Sequence, residues 1–134
     1  MSRREAREQA FSLLYQLEFR EEPIEEQIEL YSAHHPLDTE SQEFFESLVK
    51  GVFTKREELD TIYSPFLKGW KMERLPKIDV VLLRMATYEI KNIDDIPSSV
   101  SISEAVILAK RYSTEEARGY INAVLGKIAG ETPT

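Results

Sequence analysis

The chain has no cysteine among its 134 residues. That excludes a disulfide framework, a thiolate metal site and a thiol nucleophile. Glycine is scarce, with five residues, and none falls in a glycine-rich phosphate loop. Histidine occurs twice, as the adjacent pair His34–His35. Adjacent residues do not share a helix face, and no further histidine could complete a ligand set, so no metal site is expected. No apolar run is long enough to span a membrane, and the N-terminus lacks a secretory pattern. The expected location is therefore cytoplasmic, away from membranes. No segment alternates apolar and polar residues long enough to form a strand, and there is no internal repeat or low-complexity tract.

Abundant helical periodicity fills the place of the missing strands. The stretch Leu75–Asn92, LPKIDVVLLRMATYEIKN, organises the rest. Pro76 suits the first turn of a helix, where its missing N–H has no partner to lose. Ile78, Val81, Leu82, Met85, Ala86 and Ile90 then recur at three- and four-residue steps, with Val80, Leu83 and Tyr88 filling more of the circumference. Lys77, Arg84, Thr87 and Lys91 make the only polar stripe, with Val80 inside it. A helix apolar over most of its girth is one that others pack around. Asp79 near its start suits the helix dipole. Glu89 falls on the apolar side and needs a partner if buried, for which a structural ion pair is the expectation.

Around this element the spacing predicts about seven helices. The first runs from Arg3 to about Arg20, with Ser2 as N-cap and an apolar stripe of Ala6, Ala10, Leu13, Leu14 and Leu17. A short acidic helix covers residues 23–31, with Ile24, Ile28 and Tyr31 inward, and a loop follows at 33–38. Thr39 and Gln42 read as a capping box before Phe44, Phe45, Leu48, Val49 and Val52. Gly51 and Thr54 mark a bend. Leu59, Ile62 and Tyr63 face inward from the next helix, which Pro65 ends. Lys68–Gly69 closes the first half, and Trp70 is expected to roof the junction. After a turn at 94–99, Ser101–Glu104 and Ser113–Glu116 read as two further capping boxes. They open helices whose inner faces are Ile102, Ala105, Val106, Ala109 and Tyr112, then Ala117, Tyr120, Ile121, Val124, Leu125 and Ile128. Gly130 is placed to cap the last helix, and 131–134 is a tail. The fold expected is all-α, a single domain over residues 1–134. It divides into helical subdomains of about 1–69 and 70–130, with a soft boundary near Gly69–Lys71.

Charge is unevenly spread. The formal net charge is −7, yet residues 21–60 alone hold twelve acidic and three basic residues. The flanking segments are each close to neutral, which leaves room for a face that meets nucleic acid. Arg3, Arg4 and Arg7 cluster in the first turns of the first helix, where they oppose its dipole, and Glu5 and Glu8 relieve part of that conflict. Arg7, Phe11 and Tyr15 follow at four-residue steps, so a guanidinium and two rings share one flank. Single-stranded nucleic acid needs such a pairing: cations for phosphates and ring faces for bases. The same residues also read as a solvated arginine end beside two core aromatics, and composition alone leaves both open. No nucleophile has a nearby base, so a binding protein is expected, without catalytic residues, metal or cofactor.

Several segments together carry a resemblance. RLPKID at 74–79, LLRMATYEI at 82–90, VSISEAVILAKRY at 100–112 and YINAVLGKI at 120–128, with Trp70, Ile96–Pro97 and the opening RREAREQAFSLLYQLEF, are similar to the pattern of the NusB family. The likeness runs in order over most of residues 3–128. It implies an all-helical bacterial transcription antitermination factor. Such a factor binds the boxA element of nascent RNA with the small-subunit ribosomal protein NusE. It works in the elongation complex with RNA polymerase and other Nus factors, notably on ribosomal RNA operons. By the same resemblance the RNA-binding residues are Arg3, Arg4, Arg7, Tyr15, Asp79, Glu116 and Tyr120. Relatives include monomers and homodimers, and the resemblance leaves both open here. Glu5 stands inside the arginine cluster, Ser103 takes the place of an asparagine, and Ala123 that of a glycine. Two alternatives stay open: a helical adaptor that binds protein only, and the NusB-like domain of an RNA cytosine methyltransferase.

Overall fold

A computed structural model describes residues 2–21, 23–67, 69 and 72–131. Among them lie seven α-helices and no strand. The helices are α1 (Arg3–Leu17), α2 (Ile24–His34), α3 (Thr39–Thr54), α4 (Arg56–Tyr63), α5 (Lys77–Asn92), α6 (Ser98–Tyr112) and α7 (Glu115–Glu131), with short 3₁₀ turns at Ser64–Phe66 and Met72–Arg74. The expected places of Lys68 and of Trp70 at the junction, and most of the tail, fall outside the described residues. Gly69 has φ of +75°, a left-handed conformation that glycine adopts without a Cβ clash, which fits its reading as a turn.

Two compact units emerge, Met1–Thr54 and Lys55–Thr134. The break falls at the bend after Thr54 and not near Gly69–Lys71. The reason is α4, which belongs with the second unit. Its Asp60 takes two hydrogen bonds of 2.8 Å from Arg84 on α5, and Lys55 donates to Asn92 at 3.1 Å.

In the first unit α1 packs on α3. Ala6 and Ala10 are fully buried, and their small side chains let the helices approach closely. Leu13, Leu14 and Leu17 of α1 and Phe45, Leu48, Val49 and Val52 of α3 are all buried. Ser2 caps α1 by accepting from the Glu5 N–H at 3.4 Å. The helix ends at Leu17 rather than near Arg20. Its last turn tightens instead, with the N–H groups of Glu18 and Phe19 bonding the Tyr15 and Gln16 carbonyls three residues back. Helix α2 is tethered by Tyr31, which is buried, stacks on Phe45 with centroids 5.8 Å apart, and donates its hydroxyl to Gln9. Burial raises the Tyr31 pKa.

In the second unit α5 lies against α4, α6 and α7, and the whole run Asp79–Leu83 is buried, as are Met85, Ala86, Glu89 and Ile90. Its supposed polar stripe is only partly wet. Lys77 and Lys91 are exposed, but Arg84 is tied to Asp60 and Thr87 is fully buried with its hydroxyl unpaired. Glu89 is also buried, and it accepts from the Ser101 hydroxyl at 2.8 Å.

Four capping assignments change. Asp38, not Thr39, caps α3: its carboxylate accepts the Ser41 N–H at 2.9 Å, and that bond holds its pKa below the ordinary value. Gln42 instead donates to Ser32 and Glu46. Helix α6 starts at Ser98, directly after Pro97, so Ser101 lies inside it. Thr114, not Ser113, caps α7 by accepting the Ala117 N–H at 3.0 Å. Gly130 lies within α7, which continues to Glu131. Tyr112, expected inward, is exposed.

Candidate functional site

The residues singled out from the sequence fall into one group in each unit. In the first unit, Arg3, Arg4 and Arg7 occupy the opening turns of α1. Arg3 and Arg4 are exposed, whereas Arg7 is only 5 % exposed. The guanidiniums of Arg3 and Arg7 both lie over the ring of Phe44 on α3, at 4.9 and 5.3 Å from its centroid. The ring's negative face attracts them. It holds two like charges at the positive end of a helix dipole, where they would otherwise be disfavoured. Phe44 was legible only as an apolar position beside Phe45; nothing in its spacing announces a cation partner.

Further along α1, Phe11 and Tyr15 stack with centroids 6.3 Å apart and planes 20° from parallel. Phe11 is core and Tyr15 half-buried. So the flank of guanidinium and rings does exist, but its guanidinium and first ring are both buried. The ring that extends the flank is Phe19, set edge-on to Tyr15 at 5.2 Å and 78° and 64 % exposed. The four-residue step from Tyr15 to Phe19 was the signal that could have revealed it.

In the second unit, Asp79, Ser113 and Tyr120 form one hydrogen-bonded cluster. Asp79, at the start of α5, is 1 % exposed. Its two carboxylate oxygens accept from Ser113 Oγ at 2.6 Å and from Tyr120 Oη. These bonds tie α5 to the junction of α6 and α7. Burial, and then the Asp79 carboxylate, push the Tyr120 pKa well above its ordinary value, so the hydroxyl stays protonated and donating. Asp79 thus offers no surface of its own; it fixes the orientation of Tyr120, which is half-buried. Glu116, one helical turn before Tyr120, is exposed. Ser113 entered the sequence reading only as a cap.

Two open grooves lie in the first unit. One, of about 280 Å³, is lined by residues of α1, α2 and the segments just after them, among them Arg20, Leu30, His34 and His35. Both imidazoles there donate Nδ1–H to backbone carbonyls, of Leu30 at 3.0 Å and Tyr31 at 3.1 Å. The other, of about 400 Å³, is lined by Glu25, Glu29, Glu46, Lys50 and neighbours. Among the described residues, no three His, Asp or Glu side chains gather where they could hold a metal ion. Nor, among the described residues, is any helix long and apolar enough to cross a membrane.

Comparison with known proteins agrees with this architecture. The pattern described as the NusB family matches residues 4–130. A transcription antitermination protein NusB from Acetivibrio thermocellus is 46 % identical over 128 residues, covering 96 % of this chain and 88 % of that protein. The solved structure of T. maritima NusB superposes with a TM-score of 0.90 at 35 % identity, covering 99 % of this chain and 94 % of that one. NusB in a crystal structure with NusE and double-stranded RNA gives a TM-score of 0.85 at 26 % identity, covering 96 % of both chains. A family pattern spanning nearly the whole chain and a relative this similar agree with the all-helical fold: the chain belongs to the NusB family.

Proposed function

We propose that this protein is a transcription antitermination factor that binds boxA RNA jointly with NusE. In this role it supports read-through by RNA polymerase, notably in ribosomal RNA operons, as a cytoplasmic component of a bacterial elongation complex with other Nus factors. It performs no catalytic step and needs no cofactor or metal. The observation that carries this reading is the likeness to NusB in its complex with NusE and RNA, supported by the antitermination protein from Acetivibrio thermocellus.

The geometry supports a division of labour among the RNA-binding residues. Arg3 and Arg4 meet phosphates. Tyr15 and Tyr120 offer ring faces to unstacked bases, with Glu116 beside Tyr120 accepting from base or sugar donors. Arg7 and Asp79 act from below the surface. Arg7 shares the Phe44 ring with Arg3, and Asp79 holds Tyr120 by its hydroxyl.

Two exposed guanidiniums are a small electrostatic footprint for a protein of net charge −7, so binding to RNA alone is weak. NusE on the same RNA turns the second contact into an intramolecular one and raises its effective concentration. The test is a titration of labelled boxA RNA with this protein, with and without NusE. Tighter binding in the presence of NusE is expected. Equal affinity in both arms overturns the joint-binding reading, and no binding in either arm overturns the function.

A further inference from the structure

We propose that Phe19 is a base-stacking position for single-stranded RNA, extending the nucleic-acid surface of α1 beyond Tyr15. The proposal rests on the RNA-binding reading above and adds to it a residue that the family resemblance did not supply.

The observations begin with a gradient. Phe11, Tyr15 and Phe19 are in successive contact, and their exposure climbs from 4 % at Phe11 to 64 % at Phe19. The inner ring belongs to the core, the middle one is shared, and the outer one lies mostly in solvent. Phe19 is more exposed than any other large apolar residue described. A single exposed apolar side chain is ordinary, but this one is also held. The edge-to-face contact with Tyr15 sets the plane of its ring. Its own N–H bonds the Gln16 carbonyl at 3.1 Å, so the backbone beneath it is fixed although α1 has ended. The following residue, Arg20, has its guanidinium steadied by Gln27 of α2 at 3.1 Å. A ring of set orientation with an open face is what a splayed base requires.

The surroundings favour a base over a protein partner. The core of a protein interface is depleted of charge, yet Glu18, Arg20 and Glu21 flank the ring in sequence. Those flanking charges also nearly cancel, so phosphate attraction contributes little here. The contact works through the ring face, and its removal should leave the salt dependence of binding untouched.

The experiment is fluorescence anisotropy with a labelled boxA-like single strand of about 12 nucleotides, within the usual site size of single-strand binders. Parent, Phe19→Ala and Phe19→Trp are titrated at several salt concentrations, with melting curves for each. Phe19→Ala should weaken binding roughly 5- to 150-fold, the equivalent of about 1–3 kcal/mol for one stacked base, with the parent's salt slope and melting temperature. Phe19→Trp should keep the affinity and show more indole quenching on RNA saturation than the parent, whose own Trp70 provides the baseline. Parent-like binding by Phe19→Ala, or no added quenching in Phe19→Trp, overturns the proposal while leaving the RNA-binding reading intact. So does a Phe19→Ala variant that keeps its RNA affinity but loses NusE. If the parent itself does not bind the strand, the RNA-binding reading falls, and this inference with it.

Discussion

Neutralising Arg3 and Arg4 together should separate phosphate binding from folding. Both side chains are exposed. Arg3 gains about 0.5–1 kcal/mol from an exposed ring contact at 4.9 Å from Phe44. Against that, each arginine opposes the dipole of its own helix by about 0.3–1 kcal/mol. The opposing effects are of similar size, so Arg3→Gln/Arg4→Gln should shift folding stability by no more than about 1 kcal/mol. Binding is another matter. Each phosphate contact on a single strand contributes roughly 0.7 to the slope of log affinity against log salt. Over the fourfold rise from about 50 to 200 mM salt, that is a factor of roughly 2.6 per contact and roughly 7 for two. The double variant should therefore lose its affinity advantage chiefly at low salt, and its slope should flatten by roughly 1.4. Arg7→Gln provides the contrast. Its guanidinium is buried against Phe44, where a desolvated contact is worth about 2 kcal/mol or more. That variant should lose folding stability first. The assays are anisotropy titrations at four salt concentrations and urea melts of all three proteins. A double variant with the parent's slope removes this end of α1 from the RNA surface, and an Arg7→Gln protein that melts like the parent refutes the structural role of the buried cation.

Four further outcomes follow from the packing and the caps. Leu82→Ala, at a residue 1 % exposed, should cost about 2–5 kcal/mol. By contrast, Thr87→Val removes a buried hydroxyl without a partner and should be neutral or stabilising in denaturant melts; a large loss there would mean the hydroxyl is satisfied. Tyr120→Phe deletes the donor to Asp79 while keeping the ring. It should lower stability by about 1.5–3 kcal/mol, as for a hydrogen bond to a charged group, and Ser113→Ala should act in the same direction; a parent-like melt of Tyr120→Phe would show that the cluster does not hold the helix junction. Finally, the Ser41 N–H bond favours the ionised form of Asp38, whose folded pKa lies below 3.8. Its stabilisation is complete above that ordinary value and is lost as pH falls through the lower folded one. Acid melts of Asp38→Asn should lack that component, and an unchanged acid limb would remove Asp38 from the cap.

Local pattern and long-range contact divide the determination of this protein between them. Helix existence and type could be read directly, because apolar residues at three- and four-residue steps bury one face whatever packs against it. The interior character of α5 was legible for the same reason: too few of its positions are polar to leave it on the surface. So was the family, since it rests on residue order rather than geometry. Caps were less secure, because Asp38, Thr39, Ser113 and Thr114 all have capping chemistry. Which of them caps depends on where the chain turns, and Pro97 likewise moved the start of α6 ahead of Ser101. Burial of polar residues was legible at Glu89, which lies on the apolar side of α5, but not at Arg7, Thr87 or Asp79. A helical wheel puts Arg84 and Thr87 on a wet stripe, but α4 carries Asp60, 24 residues before Arg84, to that same face. Arg7 looks like a solvated cation until α3 brings Phe44 beneath it, and Asp79 looks like a dipole companion until α7 returns Tyr120, 41 residues later, to its carboxylate. The sequence alone therefore determined the helices, the family and the kinds of side chain in the arginine and tyrosine clusters. Tertiary structure decided which of those side chains reach the surface and which lie beneath it, because burial and pairing depend on partners that only the folded chain brings into contact.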